Sequence, residues 1–194
     1  MTSPQLIGLY SPAPQSGKST AASILTEHGF RVLPFAAPLK RMIGTFLFQL
    51  GYGPEDIDEL LTTHKEVKLD AINCSTRHLL QTLGTEWGRT CVHPDVWLQC
   101  WQVIAMRYLQ SSTPVVVDDV RFQNEADLIR SLGGQLWYIE RPGAEVKTEH
   151  ASEGSLNTYP FDHHLINDGT LCTLTSRVEA LLSLSTNAAQ PCPL

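Results

Sequence analysis

The stretch that most restricts the fold of this chain is QLIGLYSPAPQSGKSTAASILTEHG, residues 5–29. Residues 5–10 form an apolar run that predicts a β-strand, and the apolar spacing of residues 21–28 predicts a helix that stops at Gly29. Between them, SGKST is the second half of the pattern Gly-x-x-x-x-Gly-Lys-Ser/Thr, in which backbone amides at a helix start surround a phosphate. The order of strand, phosphate loop and helix therefore predicts an α/β fold.

The loop departs from that pattern in its first half. Pro12 stands where the first glycine would be, and Pro14 follows, so two backbone N–H donors are missing. The strongest phosphate donors lie at the helix start, over residues 16–20, and none of these is proline. We therefore predict that the loop still binds a nucleotide, with Lys18 on the β and γ phosphates and Ser19 as a ligand of Mg²⁺. The predicted nucleotide-binding residues of the loop are Gln15, Ser16, Gly17, Lys18, Ser19 and Thr20.

Composition narrows the class of protein further. The 194 residues are enough for one domain with a core, and the net charge of −6 argues against binding to a nucleic acid backbone. The 5 cysteines include no C-x-x-C pair, which favours a reducing cytoplasm over a disulfide framework or a zinc knuckle. No stretch approaches the roughly 20 apolar residues that cross a bilayer, so no membrane partner is expected.

Strand and helix patterns alternate along the rest of the chain. VVVDDVR predicts a parallel strand buried on both faces, and QLWYIE and DHHLIND predict two more strands. RVLPFA predicts a short strand in which Pro34, which lacks a donor, is confined to a sheet edge or to the end of the strand. Helices are expected over about residues 75–91 and about residues 94–110. This alternation predicts a three-layer α/β sandwich with a mainly parallel sheet. The second helix has an apolar face that we assign to the core, formed by Trp97, Trp101, Ile104 and Tyr108.

Two carboxylates and an arginine follow the buried VVV strand. A buried ion pair alone would be costly, so a functional role is favoured for this group. In a phosphate-loop enzyme, an acid at a neighbouring strand end holds the metal or the attacking oxygen. We predict that Asp119 has this role and that Arg121 grips an acceptor phosphate, although the sequence leaves open whether Asp118 acts instead.

The segment STRHLLQTLGTEWGRTC predicts a helix with two faces. Leucines and Trp87 are expected on the core side, and the other face carries Gln81, Gly84, Thr85 and Gly88. Each glycine inside a helix costs about 1 kcal/mol relative to alanine, so something approaches closely there. Close helix packing explains the glycines equally well, but Arg77 and Arg89 at the margins favour a nucleotide.

A polar stretch, ERPGAEVKTEHASEGSLNTYP, separates two predicted strands and is too long for a simple connection. It is typical of a lid, in which Arg141, Lys147 and His150 would close over phosphates and exclude water. His163 and His164 lie beside Asp162, but no fourth ligand at suitable spacing supports a zinc site.

With these motifs in order, the chain resembles the bacteriophage deoxynucleoside monophosphate kinases, which are phosphate-loop nucleotide kinases. The resemblance spans nearly the whole chain and rests on LIGLYSPAPQSGKST, PFAAPLKR, LLQTLGTEWGR with HPDVW, VVVDDVRFQNEAD, HASE and INDGTL. It implies transfer of the ATP γ-phosphate, with Mg²⁺, to a deoxynucleoside monophosphate, in support of phage DNA precursor synthesis. It also implies one kinase domain over residues 1–185, with an acceptor-binding helical region over about 37–111, a lid over about 141–160 and a tail over 186–194.

The resemblance assigns roles to particular residues. Asn167, just after the last strand, falls where related kinases meet adenine, and Ser152 belongs to the HASE lid motif. The implied catalytic residues are Lys18, Asp119, Arg121 and Arg141, with Ser19 and Asp119 at the metal. The implied acceptor-binding residues are Arg41, Arg77, Gln81, Thr85, Arg89, Trp97, Arg121, His150 and Glu153.

Pro12, and Ala37 where similar sequences often have aspartate, depart from the family pattern. Two other functions stay open: a kinase of another small acceptor such as dephospho-coenzyme A, and a nucleotide-binding protein without turnover. The resemblance also allows a homodimer, and the sequence does not indicate which base is accepted.

Overall fold

A computed structural model describes residues 5–144 and 156–187 of the chain. The strands are β1 Leu6–Tyr10, β2 Arg31–Val32, β3 Lys68–Leu69, β4 Cys74–Ser75, β5 Val115–Val117, β6 Gln135–Glu140 and β7 His163–Ile166. The α-helices are α1 Lys18–Glu27, α2 Ala37–Gln49, α3 Pro54–Thr62, α4 Thr76–Gln81, α5 Val96–Gln110, α6 Gln123–Ser131 and α7 Leu171–Asn187, and Thr82–Val92 is a π-helical segment. None of the helices in these two ranges is long and apolar enough to cross a membrane.

The described residues divide into two compact units. The first, here called the sheet unit, runs to Pro34 and resumes at Ile104. The second, here called the helical unit, is Phe35–Val103. The predicted kinase domain and its predicted acceptor region and lid are not tested by this division and stay predictions.

The sheet unit is built on five parallel strands in the order β2-β5-β1-β6-β7. The strand expected in RVLPFA is present as β2, which among the described residues pairs with β5 alone and lies at the sheet edge, with Pro34 after its end. β1 lies at the centre, where Gly8 is in register with Val117 on one side and with Leu136 on the other. The carboxyl ends of β1 and β5 therefore lie side by side, which is where open α/β sheets place their ligands.

Helices cover both faces of this sheet. Ile7 and Leu9 of β1 face α1 and α7, in one cluster with Leu25 and Val178. Gly8 faces the opposite way, toward α6, where an added Cβ would lie 2.5 Å from Ile129 Cδ1. Burying one leucine, isoleucine or valine side chain contributes about 1.5–3 kcal/mol. The apolar layers on the two faces therefore stabilise the sheet. The predicted three-layer α/β fold with a parallel sheet is confirmed.

The helical unit packs α2, α3 and α4 around a small core that includes Ile43, Leu47 and Leu61. Ser75 caps α4 by accepting a hydrogen bond from the His78 backbone N–H at 3.3 Å. α3 begins with proline in its first turn, where a missing N–H costs nothing. An antiparallel hairpin, β3 with β4, completes this unit.

The helix predicted over about residues 75–91 differs from the observed one. It changes from α-helix to π-helix at Thr82, and the His93 N–H still bonds the carbonyl five residues back, Gly88 O, at 2.9 Å. A π-helix turns less per residue than an α-helix, so side chains move to other faces. Trp87, predicted on the core side, is 46% exposed, and that prediction is wrong for this reason.

Candidate functional site

The loop between β1 and α1 has two residues in the left-handed backbone region. Gln15 has a φ of 55° and Gly17 a φ of 103°. Gly17 precedes α1 directly, and no side chain of the described residues caps that helix. Because the first amides of a helix lack partners inside the helix, an uncapped start leaves them for an anion. We call residues 11–20, including the first turn of α1, the phosphate loop.

Lys18 folds back over this loop. Its Nζ lies 3.5 Å from Ala13 O and 3.5 Å from Ser16 Oγ. Burial lowers the pKa of Lys18, the nearby Arg121 charge lowers it further, and Asp118 opposes both. A cation held at this cost, without a carboxylate in direct contact in the described structure, is suited to receive an anionic ligand.

The carboxyl ends of β1 and β5 enclose a cavity of about 290 Å³ beside the loop. Lys18, Ser19, Asp118, Asp119 and Arg121 all line it, so the structure brings the predicted catalytic groups of the loop and of the DDVR motif together. Both acids are partly exposed to the cavity, and the choice between them stays a prediction.

The residues of this cavity fit a magnesium ion. Mg²⁺ takes oxygen ligands and is usually held by one or two carboxylates together with phosphate oxygens and water. Ser19, Asp118 and Asp119, which line the cavity, carry a hydroxyl and two carboxylates that can supply such oxygens. The cavity itself is polar enough to keep water around such an ion.

Glu125 supports the site, and the sequence interpretation missed it. Its side chain is 4% exposed, and Oε2 accepts the backbone N–H of Arg121 at 2.7 Å and of Phe122 at 3.1 Å. This carboxylate therefore fixes the turn that carries Arg121 to the start of α6. A Glu three residues after a helix N-cap is a recognised capping pattern, and that signal could have identified it.

A second cavity of about 510 Å³ lies along the phosphate loop and the start of α7. It is lined by loop residues, by the predicted residues Arg141 and Asn167, and by apolar Leu171 and Leu174. Asn167 Nδ2 donates to Ser16 O at 2.9 Å, and Arg141 Nη1 donates to Gln15 O at 3.1 Å. Both predicted residues thus contact the loop backbone, and the adenine contact of Asn167 stays a prediction.

The predicted acceptor-binding residues of the helical unit do not share one set of contacts. Arg77 Nε pairs with Glu66 Oε1, while Arg41, Gln81 and Thr85 are exposed. Trp97 is 5% exposed and donates Nε1–H to Gly84 O at 2.8 Å, which is the core position expected for its helix face. The acceptor-binding roles of these residues, with Arg89, stay predictions.

The two helix glycines have a packing explanation. A Cβ on Gly88 would lie 2.6–2.7 Å from three ring atoms of Trp97, and one on Gly84 would lie 3.0 Å from Leu39. Close helix packing was the alternative that the sequence left open, and it accounts for both residues. The preferred interpretation, a nucleotide against this helix face, is not needed to explain the glycines and stays a prediction.

Two predicted groups remain. Lys147, His150, Ser152 and Glu153 of the lid lie outside the described residues. His164 stacks on Tyr138 with ring centroids 5.0 Å apart, and His163 meets Trp137 edge-on at 5.6 Å. Within residues 5–144 and 156–187, no group of three or more His, Cys, Asp or Glu side chains is arranged to hold a metal.

The sheet and the loop after its first strand define a phosphate-loop protein of the α/β class. Comparison with solved structures agrees: the crystal structure of TT1252 from Thermus thermophilus matches with a TM-score of 0.52 at 18% identity, over 98% of this chain and 100% of that one. At that identity the match shows the fold alone.

Sequence comparison identifies the family. Residues 54–178 match the family described as deoxynucleotide monophosphate kinase. A protein of Acanthamoeba polyphaga mimivirus named for this kinase is 35% identical over 192 residues, covering 90% of this chain and 93% of that protein. The deoxynucleoside-5'-monophosphate kinase of Escherichia phage T5 is 32% identical over 56% of this chain, which spans 46% of the phage protein. The chain belongs to the deoxynucleotide monophosphate kinase family, as the sequence motifs predicted.

Proposed function

We propose that this protein transfers the γ-phosphate of ATP to a deoxynucleoside 5'-monophosphate, giving the diphosphate and ADP. The observation that carries the proposal is the cavity of about 290 Å³ in which Lys18, Ser19, Asp118, Asp119 and Arg121 meet. Phosphoryl transfer needs charge stabilisation and alignment more than a protein nucleophile, and this set supplies both. The relatives come from viruses, which supports supply of DNA precursors during infection, in the host cytoplasm, as the setting.

The loop residues would bind the polyphosphate of ATP. The Lys18 ammonium would neutralise charge on the β and γ phosphates, and the N–H groups at the start of α1 would donate to their oxygens. The apolar side chains of Leu171 and Leu174 at the larger cavity support a base on that side. Arg141, bonded to the same loop, would add a second positive charge.

The strand-end residues would handle the acceptor and the metal. Ser19 and Asp119 would hold Mg²⁺, which would supply positive charge to neutralise phosphate oxygens. Arg121 would hold the phosphate of the monophosphate, kept in place by the bond from its backbone to Glu125. Arg77, Gln81 and Arg89 of the helical unit remain the proposed residues for the rest of the acceptor.

A coupled assay of ADP release tests the proposal. The purified chain is given ATP and Mg²⁺ with each common deoxynucleoside monophosphate in turn, and with dephospho-coenzyme A as a separate acceptor. We expect ADP to form only when a deoxynucleoside monophosphate is present. ADP formed only with dephospho-coenzyme A, or ATP binding without turnover on any acceptor, would contradict the proposal.

A further inference from the structure

We propose that Asn167 is a positioning residue for the phosphate loop, so that its carboxamide sets the direction of the loop amides for polyphosphate binding. The inference rests on the proposed function, because it concerns the same ATP site. Its central observation is the hydrogen bond of 2.9 Å from Asn167 Nδ2 to Ser16 O.

The bond acts on the phosphate loop through the geometry of one peptide group. In a trans peptide, the carbonyl of one residue and the N–H of the next point in opposite directions. Holding the Ser16 carbonyl toward Asn167 therefore turns the Gly17 N–H away from Asn167. Arg141 does the same one residue earlier, because its bond to Gln15 O directs the Ser16 N–H to the opposite side. Two successive loop amides are thus aligned from outside the loop.

Gly17 and Asn167 fit each other sterically. A Cβ on Gly17 would lie 2.4 Å from Asn167 Nδ2, a distance that real Cβ atoms do not reach. The φ of 103° at Gly17 also disfavours any side chain. The absence of a side chain at this position therefore serves two purposes, the turn itself and the approach of the carboxamide.

The backbone of Asn167 is fixed on both sides. Its N–H donates to Glu140 O at 2.7 Å, which extends the pairing of β6 with β7 by one residue. Arg177 of α7 bonds Ile166 O and the Asp168 carboxylate, the residues on either side of Asn167. A side chain mounted on such a support can hold a neighbouring loop, because its own position costs little to maintain.

The two prolines of the phosphate loop explain why its backbone needs support from Asn167 and Arg141. Pro12 and Pro14 carry no N–H, so the first half of the loop has fewer donors for internal hydrogen bonds and for phosphate. The binding then depends more on the amides of residues 16–20, and on their direction. External bonds to the Gln15 and Ser16 carbonyls fix that direction before a ligand arrives, which lowers the cost of ordering on binding.

The test separates loop positioning from recognition of adenine. Asn167→Leu keeps the approximate size of the side chain and removes its donor. Binding of ATP and of inorganic tripolyphosphate, each to wild type and variant, is measured by titration calorimetry. Loop positioning predicts that both ligands lose affinity by a similar factor, about tenfold. A further expected result is a raised KM for ATP with an unchanged KM for the acceptor, and a fall in Tm of only a few degrees, because one hydrogen bond to the buried Ser16 carbonyl is lost.

Gln135→Leu is the matched control. It makes the same change from an amide to leucine at the other end of the sheet, where Gln135 Oε1 accepts a bond from Trp137 Nε1. Binding of both ligands should equal that of wild type. Loss of ATP binding alone in Asn167→Leu would assign the residue to the base and overturn the inference, as would unchanged binding of both. If wild type itself binds neither ligand, the proposed function fails as well.

Discussion

The phosphate loop and the π-helical segment both carry glycines at positions of close approach, but for different reasons. Gly17 of the loop has a left-handed backbone and meets the polar carboxamide of Asn167 beside an open cavity. Gly88 of the π-helical segment meets the buried ring of Trp97. At these two glycines the missing side chain makes room for another group, and only the structure shows whether that group lies beside a cavity or in the core.

The largest effect is expected for Lys18→Met in the phosphate loop. If Lys18 neutralises the transferring phosphate, as proposed, removing its ammonium should lower turnover by about 10²–10³-fold. Thermal unfolding should be unchanged or slightly higher in Tm, because burial already disfavours the charged lysine in the folded chain. Loss of activity together with a large fall in Tm would assign Lys18 to the core instead.

The same variant has a pH signature. The pKa of Lys18 is lower in the folded chain than the ordinary value of 10.5, which we take for the unfolded chain. At a pH between the folded and the unfolded pKa, the unfolded chain therefore binds more protons than the folded chain. The free energy of unfolding of wild type therefore gains a contribution that rises with pH over that interval. Lys18→Met should lack this rise when the two chains are compared by denaturant unfolding at increasing alkaline pH.

The second effect concerns the loop glycine itself. Gly17→Ala and Gly29→Ala both place alanine at positive φ, 103° and 87°, but no atom in the described part of the chain lies within 4 Å of a Cβ on Gly29. The backbone strain should lower the unfolding free energy by about 1–2 kcal/mol in both variants. Only Gly17→Ala should also weaken ATP binding, by about tenfold or more, since it displaces Asn167. Equal ATP affinities for the two variants would show that the approach of Asn167 has no role in binding.

The third effect concerns a glycine of the π-helical segment, where a substitution should lower the free energy of unfolding and leave phosphate binding unchanged. Gly88→Ala adds a Cβ 2.6 Å from Trp97 and should destabilise the chain by about 1–3 kcal/mol, the usual cost of overpacking. For a chain of this length that corresponds to roughly 2–4 °C in Tm for each kcal/mol. Affinity for tripolyphosphate should not change.

A double-mutant cycle with Trp97→Phe identifies the cause. Phenylalanine lacks the indole nitrogen and the outer ring atoms nearest to Gly88, so Gly88→Ala should cost less in that background than in wild type. Trp97→Phe alone also removes the bond to Gly84 O and should be mildly destabilising. Additive costs would exclude the clash with Trp97 as the reason for glycine at this position.

The sequence predicted the sheet unit better than the helical unit, for physical reasons. β1, the loop and α1 are contiguous, and the amide geometry at a helix start follows from local backbone structure. The run of three valines predicted a strand buried on both faces, so the acids that follow it could be assigned to the same edge of the sheet as the loop. These inferences needed only the spacing of apolar residues and the order of the predicted strands and helices along the chain.

Other features depended on partners distant in sequence. The bond from Asn167 to Ser16 joins residues 151 positions apart, and no pattern in either segment indicates it. The widening to a π-helix at Thr82 rotated Trp87 out of the core, which an α-helical period could not predict. Glu125 is the intermediate case, because a capping pattern was present and its second bond, to Arg121, was not readable from that pattern.

The smallest effect concerns the pairing of Arg77 with Glu66 in the helical unit. The side chains are 51% and 70% exposed, and an exposed ion pair contributes about 0–1 kcal/mol, so Glu66→Gln should barely change stability. If Arg77 binds the acceptor monophosphate, as the family resemblance implies, Glu66 competes with that acceptor for the Arg77 guanidinium. Glu66→Gln should then lower the KM for the monophosphate by about two- to threefold, at unchanged KM for ATP, while Arg77→Gln raises it. A lower KM for ATP instead, or no change in either variant, would show that Arg77 does not bind the acceptor.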